Sequence, residues 1–295
     1  MKLFYFLLAS LLVHGCSAQK KSSLPANADD NSLLWEVSGK GLTKPTYIFG
    51  TFHMMCKDDI HFSETLKQAF SNSDHVYFEM DLDDLTNTLG GLLFMNMKDG
   101  KTLKDLYTPE EYAKVETYFK DSLNTPLSLV HKMKPLFLQA MMYPKLMPCK
   151  NMSGIEQELM ILAKEQKKEI KGFEDIAFQS SVFDSIPYEI QAKELLKGID
   201  SLHSYADEFN EMLDVYKKQR VMEIEKLFNE SDFTMGAGQE VLLDNRNKNW
   251  VKQLNEIMPK SNVFVAVGAG HLPGKNGVIN LLREQGYTVR PLANK

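Results

Sequence analysis

A chain of 295 residues with 43% hydrophobic and 25% charged residues can bury a full globular core, and this composition excludes extended disorder. The net charge of −5, with basic residues scattered among acidic ones, excludes the electrostatic footprint of a nucleic-acid partner.

The first 18 residues join Met1 and Lys2 to the apolar run LFYFLLASLLV and the small-residue end HGCSAQ, which is the layout of an export signal. The apolar run is too short for a permanent span, which needs about 20 residues. Two cleavage readings compete. A bacterial lipoprotein-type box, Val13-His14-Gly15-Cys16, would leave Cys16 lipidated and in contact with the membrane; cleavage after Ala18 would release a periplasmic or secreted protein. Either way the expected location is the bacterial cell envelope or beyond. Residues 19–32, polar and small, read as a flexible tether to a domain spanning 33–293.

LLWEVSG and TYIFGTF are β-rich runs separated by Gly39, Gly41 and Pro45, which predicts a hairpin. FSETLKQAFSNSD predicts an amphipathic helix capped by Ser63 with Leu66, Ala69 and Phe70 on its apolar face, and HVYFEMD the next strand, completing a βαβ unit. From Leu82 to Lys150 the pattern is helical, broken at Gly90-Gly91, Pro109, Pro135, Pro144 and Pro148. SGIEQELMILAKEQ predicts a helix and KEIKGFED a short strand. Residues 182–232 alternate at helical spacing and read as a helical insertion or cap. EVLLDNRNKNWVKQLNEIM predicts a helix, VFVAVG a strand, GVINLLREQG a helix and YTVRPL a final strand. The expected fold is α/β, with a mixed, largely parallel central sheet flanked by helices.

Past the signal only Cys56 and Cys149 remain. Outside the cytoplasm a disulfide is permitted, but their spacing leaves a bridge and two buried thiols both open, with Cys56 a weaker metal ligand near His53.

GAGHLPG, residues 268–274, misses the dinucleotide fingerprint by one residue, and Pro273 disturbs the helix start that fingerprint needs. A metal reading fares better, because both Gly50 and Gly268 end an apolar strand and stand three residues before a histidine. A glycine there lets the chain turn sharply, so His53 and His271 could face one cleft at the carboxyl edge of a sheet. Glu79, and less directly Glu174, also sit at strand ends. Two imidazoles and a carboxylate with one position left for water is a recurring catalytic metal arrangement. The bland alternative is a pair of hydrogen-bonded structural histidines. Arg246 and Asn247 lie on a helix with Leu242, Leu243 and Trp250; they could be solvent face, or Arg246 could stabilise an oxyanion.

YIFGTFH, VYFEMD, GIEQEL, GFEDIAFQ, LLDNRNKNW and VFVAVGAGHLPGKNGVINLLREQGYTV together resemble the TraB/GumN family, which includes the Tiki proteases of animals. The resemblance implies a mixed α/β fold related to erythromycin-esterase and ChaN-like proteins, and a divalent-metal peptidase site favouring manganese or cobalt, with zinc a further candidate. It implies His53 and His271 as ligands, Glu79 as ligand or general base, and functional places for Glu156, Arg246 and Asn247. The expectation is an envelope metal-dependent hydrolase acting on a peptide or protein substrate. A non-enzymatic binder of a peptide or haem-like ligand is the alternative, to which the Met- and aromatic-rich insertion lends itself.

Overall fold

The computed structural model of the chain describes residues 24–25, 27, 29–81, 83, 91, 94–230 and 238–295. The expected export signal with Cys16, most of the stretch from 82 to 93 and the end of the expected helical insertion lie outside the described residues.

Strands β1 (Leu34–Ser38) and β2 (Thr46–Thr51) form the expected antiparallel hairpin, turning through Gly39 and Gly41 at φ 85° and 81°, where side-chain-free residues are needed. A short strand β3 (Met55–Cys56) follows, then helix α1 (Glu64–Ser71) and β4 (His75–Met80). The Ser63 side chain caps α1 by accepting from the Leu66 N–H at 3.1 Å, and Leu66, Ala69 and Phe70 are the buried positions, as the spacing predicts.

Helices α2 (Pro109–Asp121), α3 (Leu127–Val130), α4 (Pro135–Ala140) and α5 (Tyr143–Leu146) come next. They lead to β5 (Met152–Ser153), α6 (Ile155–Glu165) and β6 (Glu169–Glu174). The region read as a cap holds the end of α7 (Ile176–Asp184), then α8 (Tyr188–Asp200), α9 (Leu202–Lys217) and α10 (Val221–Glu230). The chain closes with α11 (Asn245–Ile257), β7 (Val263–Gly268), α12 (Val278–Glu284) and β8 (Thr288–Pro291).

The fold is mixed α/β: a six-stranded sheet in the order β6-β4-β7-β2-β1-β8, in which β6, β4, β7 and β2 run parallel. The βαβ crossover from β2 to β4 therefore skips one place, which β7 fills from near the other end of the chain. Of the four parallel strands the central pair β2 and β7 are buried almost throughout, as strands covered on both faces must be, while β4 and β6 toward the edge carry His75, Glu169 and Lys171 at more open positions, and all four end on one edge of the sheet. That edge is where α/β proteins place their ligands.

Helices from two separate stretches share a second, smaller core of Leu103, Val115, Phe119, Leu127, Leu138 and Leu195. The fully buried Lys134 ties this layer together, its Nζ donating to Asp184 at 2.8 Å and to Ser180 Oγ at 2.6 Å. Cys56 and Cys149 are joined as a disulfide across 93 residues, beside the β3/β5 pair. Among the described residues no helix is long and apolar enough to cross a membrane.

Candidate functional site

Adjacent, parallel β2 and β7 pair Thr51 with Gly268, so the two Gly-x-x-His turns leave the sheet side by side. His271 closes a single 3-10 turn, Ala269–His271, while His53 lies in the loop after β2. That loop packs against the start of α6, where Ile155 N–H donates to the Phe52 carbonyl at 3.1 Å. A side chain at Gly154 would place its Cβ 2.5 Å from the His53 carbonyl oxygen, so this approach requires glycine.

On the next strand Glu79 reaches the same place. Its Oε1 accepts from the Gly268 N–H at 2.8 Å and its Oε2 from Arg246 Nη2 at 2.6 Å. Arg246 also clamps Glu174 at the end of β6, with Nε 2.9 Å from Oε1 and Nη2 2.8 Å from Oε2. Trp250, one turn further along α11, donates its indole N–H to Glu174 at 2.7 Å and lies under the guanidinium at 4.8 Å. The predicted helix around Arg246 begins as a π-helical turn, Glu240–Asp244, before continuing as α11. The Leu242 carbonyl in that turn accepts from Arg246 Nη1 at 3.0 Å. A wide turn of this kind is often found at functional sites, and here it lies directly before the guanidinium. Arg246 and Asn247 are 6% and 2% exposed, which rules out the solvent-face reading.

Each imidazole is held on its Nδ1 side. His271 Nδ1 is 2.6 Å from Asn247 Oδ1, and Asn247 in turn donates through Nδ2 to the Asn276 carbonyl at 2.9 Å. With the amide oxygen facing it, Nδ1 carries the proton and Nε2 is a lone pair, 3.3 Å from Arg246 Nη1 and 3.7 Å from Glu79 Oε1. His53 Nδ1 lies 2.7 Å from Glu156 Oε1, which also accepts from the Thr51 hydroxyl at 2.6 Å.

The charges follow from these partners. Burial depresses the pKa of His271 to about 3, with the Arg246 charge acting the same way against the pull of Glu79, so the ring is neutral at pH 7. For His53 the surrounding protein opposes protonation, but the hydrogen bond and charge of Glu156, with the charge of Glu79, outweigh it and raise the pKa to about 9. Burial likewise opposes ionisation of Glu156 and Glu79. Their partners win in both: His53 and Thr51 hold Glu156 low, and the positive charge around Glu79, chiefly Arg246 once His271 is neutral, holds Glu79 well below the carboxylate range.

A Cβ built on Gly268 would sit 3.2 Å from Glu79 Oε1, 3.6 Å from the His271 ring and 3.8 Å from His53 Nε2. Three side chains thus converge on a point that glycine leaves open. Among the described residues no three His, Cys, Asp or Glu side chains close into a metal-binding group. The donor chemistry nonetheless fits a divalent cation. Two imidazoles are anchored through Nδ1 by oxygen acceptors, the usual support for ligation through Nε2, and a carboxylate oxygen stands 3.7 Å from the Nε2 of His271. Three carboxylates, Glu79, Glu156 and Glu174, against Arg246 and a protonated His53 leave one negative charge, and a neutral His53 leaves two.

From His53 and Gly268 a cavity of about 430 Å³ opens under α9 and α10, walled by Phe52, Tyr143, Phe209, Met212, Ile224 and Leu227. Phe52 packs edge-on against Phe209, which stacks on Tyr143, and Tyr216 donates its hydroxyl to the Gly50 carbonyl at 2.9 Å, tying α9 to β2.

The fold therefore brings together His53, Glu79, Glu156, Arg246, Asn247 and His271, drawn from both ends of the chain. Sequence reasoning passed over Thr51 and Trp250, and weighed Glu174 only as a possible strand-end carboxylate. The signals were a threonine directly after the β2 glycine and a tryptophan four residues after Arg246, one helical turn away. Among the described residues the other histidines stand apart: His75 pairs with Glu169 at 3.0 Å, His131 with the Ser128 carbonyl at 2.7 Å, and His61 and His203 are exposed.

A family model described as TraB/PrgY/gumN matches residues 33–291. The chain is 22% identical to "Metalloprotease TIKI1" of Danio rerio over 89% of its own length and 63% of that protein. It is 22% identical to "Metalloprotease TIKI homolog" of Nematostella vectensis, over 88% of this chain and 66% of the relative. It is 23% identical to "Metalloprotease TIKI1" of Homo sapiens, over 90% and 63%. The chain thus spans less than two thirds of the length of these curated relatives.

Proposed function

The chain belongs to the TraB/PrgY/gumN family, and on that premise we propose that it is a metal-dependent peptidase of the cell envelope. The observation that carries this reading is the convergence of His53, His271 and Glu79 beside Gly268, each imidazole oriented by an oxygen acceptor on Nδ1. The metalloprotease names of the relatives support it.

In this reading His53 and His271 hold a manganese, cobalt or zinc ion through Nε2, together with Glu79. The ion, when bound, supplies Lewis acidity toward the scissile carbonyl and acidifies a water molecule. Glu156 and Asn247 fix the tautomers of the two candidate ligands, and His53 would have to release its Nε2 proton to solvent in order to ligate. Glu156 takes the proton of the attacking water on the oxygen not committed to Thr51 and His53. Arg246, a candidate for oxyanion contact on sequence grounds, has Nε and Nη2 committed to Glu174 and Glu79 and Nη1 to the Leu242 carbonyl, and only the Nη1 contact to His271 Nε2 would be given up on ligation. We therefore assign it the positioning and ionisation of Glu79. The export signal and the disulfide support a location outside the cytoplasm, since such bridges persist in oxidising compartments. A lipid on Cys16 would hold the domain at the membrane.

The test is elemental analysis and peptide cleavage with the purified protein after loading with manganese, cobalt or zinc, beside a His53→Ala/His271→Ala variant. Stoichiometric metal and cleavage, both lost in the variant, are expected; full activity in the variant overturns the reading. The apolar wall of the cavity favours a second reading, a haem-like ligand held without catalysis, for which a Soret band on haem titration is the signature.

A further inference from the structure

Resting on the peptidase reading, we propose that the cavity under α9 and α10 is its specificity pocket, and that the protein selects peptides carrying a bulky apolar side chain next to the reacting bond. Thr51, His53 and Gly268 belong to both the candidate site and the cavity wall, so the two spaces are continuous. An occupant lying along the edge of the sheet must place its main chain at the site and a side chain in the cavity. Far more of the exposed cavity lining is carbon than nitrogen or oxygen, and its volume of about 430 Å³ lies toward the lower end of the range for sites that enclose a small organic group.

The wall has two parts with different mechanics. Phe52, Phe209 and Tyr143 brace one another through ring contacts at 5.8 and 5.7 Å and form a rigid aromatic side. Met212, Ile224 and Leu227 face them from α9 and α10, a flexible aliphatic side able to accommodate Phe, Leu or Met in turn. Glu208 and Glu211 also line the space. Their carboxylates set the charge selectivity: an acidic side chain is repelled, and a neutral apolar one is not.

The test uses the full chain and short fluorescein-labelled glycine–serine peptides, each carrying a single Phe, Leu, Ala, Lys or Asp. Binding is read by fluorescence anisotropy in the presence of a chelator, and cleavage separately after metal loading. Burying one large apolar side chain should tighten binding of the Phe and Leu peptides about tenfold to a hundredfold over Ala, with Asp the weakest. Met212→Trp, at a partly exposed position where added bulk should not unfold α9, should fill the pocket and abolish the preference while the Ala peptide binds unchanged. Leu227→Trp provides an independent check from α10. Equal binding of Phe and Ala, or a preference that survives both variants, overturns the pocket. Binding with the preference but no cleavage would keep the pocket and overturn the peptidase. Cleavage with no apolar preference would do the reverse, and neither binding nor cleavage would overturn both.

Discussion

Arg246 meets Glu174 in the interior through paired hydrogen bonds of 2.9 and 2.8 Å, and the same guanidinium holds Glu79 at 2.6 Å. One cation from α11 thus links the ends of β6 and β4. Removing Glu174 leaves Arg246 paired with Glu79 but strips the buried Arg246 Nε and the Trp250 indole N–H of their acceptor, at a cost of about 1–3 kcal/mol for an unsatisfied buried group. Glu174→Ala should lower stability by that order, read as a shifted midpoint with unchanged slope in urea unfolding. Arg246→Lys should also destabilise, because an ammonium cannot serve two carboxylates in a fork.

Acid should destabilise the protein well above the range where carboxylates titrate. His271, with a folded-state pKa near 3 and an unfolded value near 6.5, binds its proton more readily in the unfolded chain. Its contribution is therefore complete above pH 6.5 and is lost as pH falls from 6.5 toward 3, at up to about 1.4 kcal/mol per pH unit. Glu79, also depressed, adds a loss that begins below its unfolded value near 4.5. The urea midpoint of the metal-free protein measured from pH 7 to 4.5 should fall, and in His271→Asn that slope should flatten.

His53 carries the opposite sign. Its pKa near 9 makes its contribution complete below the unfolded value near 6.5 and lost as pH rises through 9. Since the side chain is 75% accessible, solvent screening leaves little of this in stability, and the readout is the ring itself. Titration of the His53 NMR signals in metal-free protein should give the raised value. In Glu156→Gln it should fall by more than one pH unit, because the hydrogen-bonded carboxylate is what holds the proton.

Gly268→Ala should separate metal affinity from folding. The added methyl would enter the space among Glu79, His271 and His53 with its nearest atom at 3.2 Å, a displacement of tenths of an ångström. Thermal stability should drop by about 1 kcal/mol, and manganese affinity measured by calorimetry should fall at least tenfold. Wild-type affinity in the variant would argue against a cation at that point.

Reduction of the Cys56–Cys149 bridge should act on the whole domain. Closing a loop of 93 residues removes enough freedom from the unfolded chain to account for about 4.6 kcal/mol in the loop-entropy picture. Cys149→Ser, or thiol treatment, should lower the melting temperature accordingly.

What the sequence determined by itself is local. Alternating and helical periodicity, the Ser63 cap and the glycine-punctuated hairpin marked the strands of the sheet and the helix between β2 and β4, because these depend on neighbours a few residues apart. The repeated Gly-x-x-His turn pointed to His53 and His271 for the same reason. Tertiary structure decided that β7 inserts between β4 and β2, since strand order depends on contacts across nearly the whole chain. It decided that Cys56 meets Cys149, which spacing left open. It also turned Arg246 and Asn247 inward: a helix pattern with Leu242, Leu243 and Trp250 cannot show that two polar neighbours are buried until Glu174 from the end of β6 and His271 from the turn after β7 arrive to satisfy them.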